Sequence, residues 1–297
     1  MDDNSILGDQ FQQSSIQNLK ASLSTFWAMT RKELIVMARY PVNFIASFGQ
    51  IFLIVAIFTL AGSMFYRSGS QQVVGTGSGD FGNASGVVVY GFILFIFLSD
   101  TLWTIGYNVR HEQVQGTLEQ LYLSPASKFA SLVSRVAVIL IWTGLLSITG
   151  STLMAAMIGN LPIDNPVLGF YLLVMTLLGT FGMGFAFAAL TLRIKETAQT
   201  MANMLQFAFI ILCAMFFPFS ALPPFILTIS RLIPLSYAVD AFRSTLMGYP
   251  PGFPELAPIG AEMVIVTSFG LLMPVLGYYL YRRAENHARR SGSLAEF

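Results

Sequence analysis

Charged residues are scarce in this chain, since Lys, Arg, Asp and Glu make up only 10% of its 297 residues. Soluble domains carry about 25% charged residues. Apolar residues make up 55% of the chain, and its mean hydropathy is +0.66. A water-soluble fold cannot cover its surface with so little charge, so the composition predicts an integral membrane protein.

Residues that hold metals or form disulfides are also nearly absent. The one cysteine, Cys213, excludes an internal disulfide and a Cys-x-x-Cys metal site. The two histidines, His111 and His287, form no His-Glu-x-x-His motif. A net charge of +1 gives no basic field for nucleic acid. We therefore expect no nucleic-acid partner, no catalytic residue, and no metal or cofactor site in this chain.

Six long charge-free runs locate the predicted membrane spans. A charge at the middle of a bilayer costs several kcal/mol, and a hydrocarbon core of ~30 Å takes about 20 helical residues. The runs predict an all-α membrane domain over 42–285 with six transmembrane helices near residues 43–66, 86–107, 131–158, 167–191, 199–221 and 260–281.

The distribution of Lys and Arg predicts the orientation. An even number of spans places both termini on one side, and with the termini inside, the inner segments hold 13 of the 16 Lys and Arg residues. The outer segments hold Arg67, Arg231 and Arg243. The positive-inside rule therefore predicts cytoplasmic termini in the plasma membrane. We expect residues 1–15 to be disordered and 286–297 to form a cytoplasmic tail.

An amphipathic helix is predicted over residues 16–41, before the first span. Apolar residues recur at the spacing of one helical face from Ile16 to Met37, and Pro41 ends the pattern. Such a helix lies in the inner membrane interface. It serves either as an anchor or as a lever that touches a cytoplasmic partner. Its charged residues are Arg31, Lys32, Glu33 and Arg39.

The loop after the second span is the longest predicted cytoplasmic connection and has helical patterning over 109–123. Val114, Leu118 and Leu121 form an apolar stripe, with Glu112 and Glu119 on a polar one. A proline at 125 ends the helix, because the residue before proline avoids the helical region. The helix either docks into a groove on another protein or folds against its own chain.

Residues 222–259, between the last two spans, are too apolar for an ordinary loop and too interrupted by proline to span. Irregular backbone at membrane depth is tolerated only when it packs against protein. The segment is therefore predicted to form re-entrant helices that cap the outer end of the bundle.

Two ionisable residues lie inside predicted spans. Asp100 is on the second span, and Arg135 is at a comparable depth at the start of the third. Intramembrane ionisable groups face protein or water and usually pair. We predict an Asp100–Arg135 pair, and proton coupling through Asp100 is the alternative.

The run Glu112-x-x-x-Gly-Thr-Leu-Glu-x-Leu-x-x-Ser-Pro125 resembles the coupling helix of type-2 (type V) ABC exporter permeases, a class that includes daunorubicin-type drug exporters and polysaccharide exporters. Thr30–Leu34 with Arg39-Tyr-Pro41 is similar to the family's amino-terminal interface helix. Four further residues look like its outer re-entrant segment: Pro223, Pro234, Tyr237 and Arg243. The resemblance runs from about residue 20 to 285.

The resemblance implies a permease that forms half of an ATP-driven export pathway. It implies a second permease, expected as an identical copy in a homodimer with a related permease as the alternative, and two separate ATPase subunits that bind ATP and Mg. This chain has no Gly-x-x-x-x-Gly-Lys-Ser/Thr motif, so it cannot hold ATP in that manner. The residues implied to couple to the ATPase are Arg110, Glu112, Val114, Gly116, Thr117, Leu118, Glu119, Leu121 and Pro125.

The family also lines its cavity with the second and fifth helices. Here these offer Phe92, Phe95, Leu98, Trp103, Asn203, Gln206, Phe207, Ile210 and Met215. Phe and Met surfaces adapt to varied apolar ligands, which favours a hydrophobic or amphipathic substrate.

Two other functions remain open on the residues alone. An ion-coupled secondary transporter would need more intramembrane polar groups than Asp100 and often has inverted repeats. A non-transporting membrane scaffold subunit is the second alternative.

Overall fold

The computed structural model describes scattered positions between residues 24 and 49, residues 81–114, most of 138–152, and residues 163–194 and 197–290. In these ranges the regular structure is helical and contains no strand. The helices are α1 (Phe81–Val114), α2 (Leu140–Gly150), α3 (Pro166–Ile194), α4 (Ala198–Leu212), α5 (Pro224–Ser230), α6 (Pro234–Leu246) and α7 (Ile259–Arg290). A 3₁₀ turn covers Phe219–Ala221.

Two of the described helices are long and apolar enough to span a membrane, over Pro166–Thr191 and Ile259–His287. They coincide with the predicted spans at 167–191 and 260–281. The pair α5 and α6 passes the same test together but is bent by 95°, as a broken span or a re-entrant segment would be. The total of six spans stays a prediction, since nearly all of the first predicted span (43–66) lies outside the described residues.

Three predicted boundaries differ from the structure. The predicted fifth span (199–221) ends at Leu212, because the chain turns at Cys213 and Ala214. α1 continues without a break to Val114, so residues 109–114 extend the second span and do not begin a separate helix. The rest of the predicted coupling helix, 115–123, lies outside the described residues. α7 continues to Arg290, so the predicted tail from 286 begins as helix.

Prolines begin three of the helices. Pro166, Pro224 and Pro234 are the first residues of α3, α5 and α6. Proline is favoured at the first helical position, where its missing N–H would have no intrahelical partner. The prolines that make residues 222–259 unsuitable for a single span therefore divide the segment into two helices.

Helices α3 and α7 pack closely through glycine. A Cβ atom on Gly182 would overlap the backbone of Met273 and Pro274, and one on Gly277 would overlap the carbonyl of Gly182. The ring of Phe269 lies over Gly179. Small residues at a helix–helix contact let backbones approach closely, which is a common way to associate helices in a membrane.

Helix α6 lies in the centre of the core. All of its residues from Leu235 to Leu246 are buried except Tyr237. The core cluster around it draws on α1, α3 and α7, through residues that include Tyr90, Leu94, Leu172, Phe242 and Val266. The second helix of the segment predicted as an outer cap is therefore buried in the core, and the position of that segment at the outer end of the bundle stays a prediction.

The opposite face of α7 is apolar and exposed, with Leu272 68% and Val275 69% exposed. Its other exposed apolar residues include Leu271, Leu276 and Tyr279. A helix that buries one stripe and exposes apolar side chains on the other matches a helix at the edge of a membrane-embedded bundle.

We expect Gly182→Ala to destabilise the protein by about 1–3 kcal/mol, because the added methyl group forces α3 and α7 apart. The measurement is the thermal unfolding midpoint in detergent. Gly260→Ala is the matched control, since its added Cβ would meet no atom within 4 Å. Equal midpoints for the two variants would contradict the close α3–α7 packing.

Candidate functional site

Charged side chains are buried together where α6 meets the start of α7. Asp240, Arg243 and Glu262 are each 0% exposed. Glu255, in the loop between the two helices, is half-buried. We call these four residues the buried charge cluster. They lie beside the amino-terminal part of α1, since Tyr90 packs edge-on against Phe242 with ring centroids 6.0 Å apart.

Arg243 holds the turn that follows α4. Its Nη1 donates hydrogen bonds to the carbonyl oxygens of Ala214 and Phe217, both at 3.0 Å. Its guanidinium carbon lies 5.3 Å from the ring centroid of Phe219, within the range of a cation–π contact. This one side chain therefore fixes three positions in the irregular segment between α4 and α5.

The turn itself has the hydrogen bonds of a Schellman motif. The N–H of Met215 donates to the carbonyl of Ile210 at 3.1 Å, and that of Ala214 donates to Ile211 at 3.2 Å. Ala214 has a φ of 46°, in the left-handed region where glycine is usual. An alanine there costs about 1–2 kcal/mol. The hydrogen bond from Arg243 to the Ala214 carbonyl helps to hold this conformation.

Helix α1 supports the same turn from the other side. The carbonyl of Met215 approaches Gly91 so closely that a Cβ atom there would overlap it. Glycine at 91 therefore lets the backbone of α1 contact the turn directly.

The carboxyl groups of the cluster cap irregular backbone. Asp240 Oδ2 accepts hydrogen bonds from the N–H groups of Glu255 at 2.7 Å and Leu256 at 2.8 Å. Glu255 in turn accepts from the N–H groups of Phe219 at 3.0 Å and Ser220 at 2.6 Å. Backbone that is neither helix nor strand at membrane depth must find such partners within the protein.

The residues predicted for the re-entrant segment surround the bend between α5 and α6. Pro223 precedes α5, and Pro234 begins α6. The hydroxyl of Tyr237 donates to the carbonyl of Arg231 at 2.9 Å, across the bend. Arg243 belongs to the buried charge cluster. The structure thus places all four residues in one folded unit.

Sequence reasoning missed Asp240, Glu255 and Glu262. A signal was present, since three of the 15 acidic residues of a charge-poor chain fall within 240–262, beside Arg243. Their proximity to one another depends on the turn at Gly248 and Gly252, both of which have positive φ.

Two adjacent residues of α1 join it to other helices. Asp100 Oδ2 accepts a hydrogen bond from Thr143 Oγ1 of α2 at 2.6 Å. Ser99 Oγ accepts one from Gln206 Nε2 of α4 at 2.9 Å. Arg135 lies outside the described residues, so its pairing with Asp100 stays a prediction.

The predicted substrate-path residues do not share one surface in this protomer. Phe92, Leu98 and Met215 are buried in its interior, whereas Phe207 is 65% exposed. The side chain of Trp103 is not among those described. The remaining four are partly buried: Phe95, Asn203, Gln206 and Ile210.

Six of the thirteen predicted coupling and interface residues are described. Arg110, Glu112 and Val114 lie in the last turns of α1. Arg31, Lys32 and Arg39 are exposed at helical positions. Outside the described residues lie Glu33, Gly116, Thr117, Leu118, Glu119, Leu121 and Pro125.

Comparison with known families covers most of the chain. Residues 68–279 match the family model of an ABC-2 family transporter protein. This range includes α1 to α6 entire, most of α7, and the buried charge cluster. No curated protein is similar enough to the chain to count as a match.

Replacing Arg243 by Ala should destabilise the fold by about 3–5 kcal/mol, since it leaves buried carboxyl groups without their cation and two carbonyls without a donor. The free energy of unfolding in detergent measures this. Arg231→Ala is the control, because the Arg231 side chain is exposed in the same segment, and we expect a change within about 0.5 kcal/mol. A similar decrease in the free energy of unfolding of both variants would show that the contacts of Arg243 do not stabilise the segment specifically.

Proposed function

We propose, from the premise that this chain belongs to the ABC-2 transporter family, that it is the permease subunit of an ATP-driven exporter. The family match over residues 68–279 is the observation that carries the proposal. Proteins of this family are membrane components of ABC transporters, and this chain is such a component. Forming half of an export pathway is the further step that we infer.

The energy for transport must come from a partner chain. The sequence has no Walker-type phosphate-binding motif, so ATP and Mg are expected on two separate ATPase subunits. The expected assembly contains those two subunits and two copies of this permease, as a homodimer in the lipid membrane.

The continuity of α1 supports a route for coupling. α1 has 34 residues and is therefore about 50 Å long. Its amino-terminal third contacts the turn held by Arg243. It then contacts α2 and α4 through Asp100 and Ser99, and it ends at Val114 within the motif that resembles a coupling helix. A displacement applied at Val114 would move α1 as a stiff element, and α2 and α4 with it.

The distribution of cations supports an orientation with the Val114 end of α1 in the cytoplasm. On that orientation both termini are cytoplasmic, and the buried charge cluster lies at the outer end of the bundle. The cluster would then hold the outer re-entrant segment against the permease while the inner end is moved.

The exposed face of α4 supports an apolar cargo. Met204 is 68% exposed and Phe207 65% exposed, and both project from the helix that lines the cavity in this family. We infer a hydrophobic or amphipathic substrate that passes between two copies of the chain.

Association with an ATPase is the direct test. The tagged permease is co-expressed with an ABC ATPase encoded beside it, purified and reconstituted. We expect the ATPase to co-purify and a panel of amphipathic compounds to stimulate ATP hydrolysis. A permease that retains no ATPase and moves no compound in an ATP-dependent manner would favour a scaffold subunit.

Glu112→Ala and Gly116→Pro should abolish ATP-driven transport and leave membrane insertion intact, because both change the segment that contacts the ATPase. Transport into inverted vesicles is compared with the amount of folded permease in the same membranes. Gln113→Ala is the control, since position 113 is one of the unspecified positions of the motif, and it should transport normally. Normal export by both motif variants would contradict the coupling role.

Asp100→Asn should retain ATP-driven transport at close to the normal rate. The Asn carbonyl can still accept the hydrogen bond from Thr143, whereas Asp100→Leu removes the acceptor and should lower the yield of folded protein. Transport is measured with and without a proton gradient. If Asp100→Asn abolished transport and the gradient alone drove the wild-type protein, an ion-coupled transporter would be the better assignment.

A further inference from the structure

The exposed face of α7 changes from apolar to cationic toward the carboxyl end of the helix. Val275, Leu276 and Tyr279 are between 51% and 69% exposed. Arg282 and Arg283 are exposed as well. The two arginines follow Val275 and Leu276 by seven residues, which is about two helical turns, so they continue the same face. We call these five residues the α7 edge face.

The position of the two arginines along the helix matches the edge of a bilayer. Residues 263–281, between Glu262 and Arg282, carry no charged side chain. At 1.5 Å per residue this stretch is about 28 Å long, close to the ~30 Å thickness of the hydrocarbon core. Arg282 and Arg283 are therefore expected at the level of the lipid headgroups. Tyr279 lies one turn before them, at a depth where tyrosine is favoured.

Helix α3 brings a further cation to the same end of the bundle. α3 runs parallel to α7, since Tyr171 is hydrogen-bonded to Thr267 near the start of both helices, and Ala188 is in one core cluster with Ala284 near their ends. In this register Arg193, the next-to-last residue of α3, lies level with the carboxyl end of α7. Both parallel helices therefore end in cations on the same side.

The carboxyl end of α7 has a net positive charge. Residues 282–290 contain four arginines and one acidic residue, Glu285. Glu285 is 8% exposed and adjoins Ala284, which is in a core cluster with residues of α3. The Glu285 side chain is therefore buried on the side of the bundle, whereas Arg282 and Arg283 are exposed. The exposed side of this helix end attracts anions.

We propose that an anionic phospholipid binds the α7 edge face, with its phosphate group on Arg282 and Arg283 and its acyl chains along Val275, Leu276 and Tyr279. Guanidinium groups form charge-assisted hydrogen bonds with phosphate oxygens, often two at a time. Acyl chains cover the apolar side chains that precede the arginines. A free phosphate ion would contact only the arginines, so the continuity of the face favours the lipid.

A protein partner fits this face less well than a lipid does. The cations and the apolar side chains share one stripe of a single helix, so one partner must contact both the headgroup level and the hydrocarbon core. A cytoplasmic ATPase would reach the arginines and not Val275, which is two turns deeper. The proposal rests on the fold and on the membrane location and not on the proposed export function, so a failed transport experiment leaves it standing.

The experiment measures the thermal unfolding midpoint of the full chain in a neutral detergent with added phosphatidylglycerol, which is anionic, or phosphatidylcholine. We expect phosphatidylglycerol to raise the midpoint by about 3–6 °C more than phosphatidylcholine does, because a ligand that binds only the folded chain stabilises it. The double variant Arg282→Gln/Arg283→Gln should lose this difference. Arg231→Gln is the matched control and should keep it, since Arg231 is an exposed arginine outside α7. Inorganic phosphate should leave the wild-type midpoint unchanged.

An equal response to phosphatidylglycerol in the wild type and the double variant would overturn the proposal, and so would an equal rise with inorganic phosphate alone. If the double variant lost a co-purifying ATPase and kept the lipid response, the arginines would belong to the ATPase interface instead.

Mass spectrometry of bound lipid provides a second readout if the double variant does not fold. After incubation with an equimolar mixture of the two lipids, the wild-type chain should retain more phosphatidylglycerol than phosphatidylcholine. The single variant Arg283→Gln should retain less phosphatidylglycerol than Arg231→Gln does. Equal retention of the two lipids by the wild type, or of phosphatidylglycerol by the two variants, would also overturn the proposal.

Discussion

The irregular segment between α4 and α5 depends on the contacts that the buried guanidinium group of Arg243 makes. This group ties α6 to the turn after α4, where Ala214 adopts a conformation that alanine rarely takes. An isolated buried cation would be strongly unfavourable, so its position requires the carboxyl groups around it. Those carboxyl groups in turn cap the backbone of the loop before α7 and of the 3₁₀ turn. Charge burial and irregular backbone therefore stabilise each other.

The two ends of α1 are suited to different tasks. At one end, Gly91 allows direct backbone contact with the turn that Arg243 holds. Toward the other end the helix continues to Val114, within the segment that we expect an ATPase to contact. Under the proposed coupling, a stiff helix that is fixed near one end and displaced at the other would be a physical basis for alternating access. The glycine-mediated packing of α3 and α7 provides the frame against which α1 would move.

Several features were predictable because they depend on local chemistry. The charge-free runs at 167–191 and 260–281 predicted two helices that the structure contains. The prolines between 222 and 259 predicted an interrupted segment, and the structure bends it by 95°. The end of α4 was not predictable, because the run from Leu212 to Phe217 is uniformly apolar and has alanine where a helix stop usually has glycine. The continuation of α1 to Val114 was not predicted, because the polar residues from 109 onward resemble the start of a new helix.

The amino-acid sequence by itself determined that this is a helical membrane protein, since a chain with so little charge and such long apolar runs cannot cover a water-soluble surface. It also carried the motif from Glu112 to Pro125. Only the tertiary structure decided that α6 lies in the centre of the core, and that Asp240, Arg243 and Glu262 are buried together. These residues are separated along the chain by irregular segments, and their contact depends on how α6 and α7 pack. The hydrophobic periodicity of the sequence does not predict that packing.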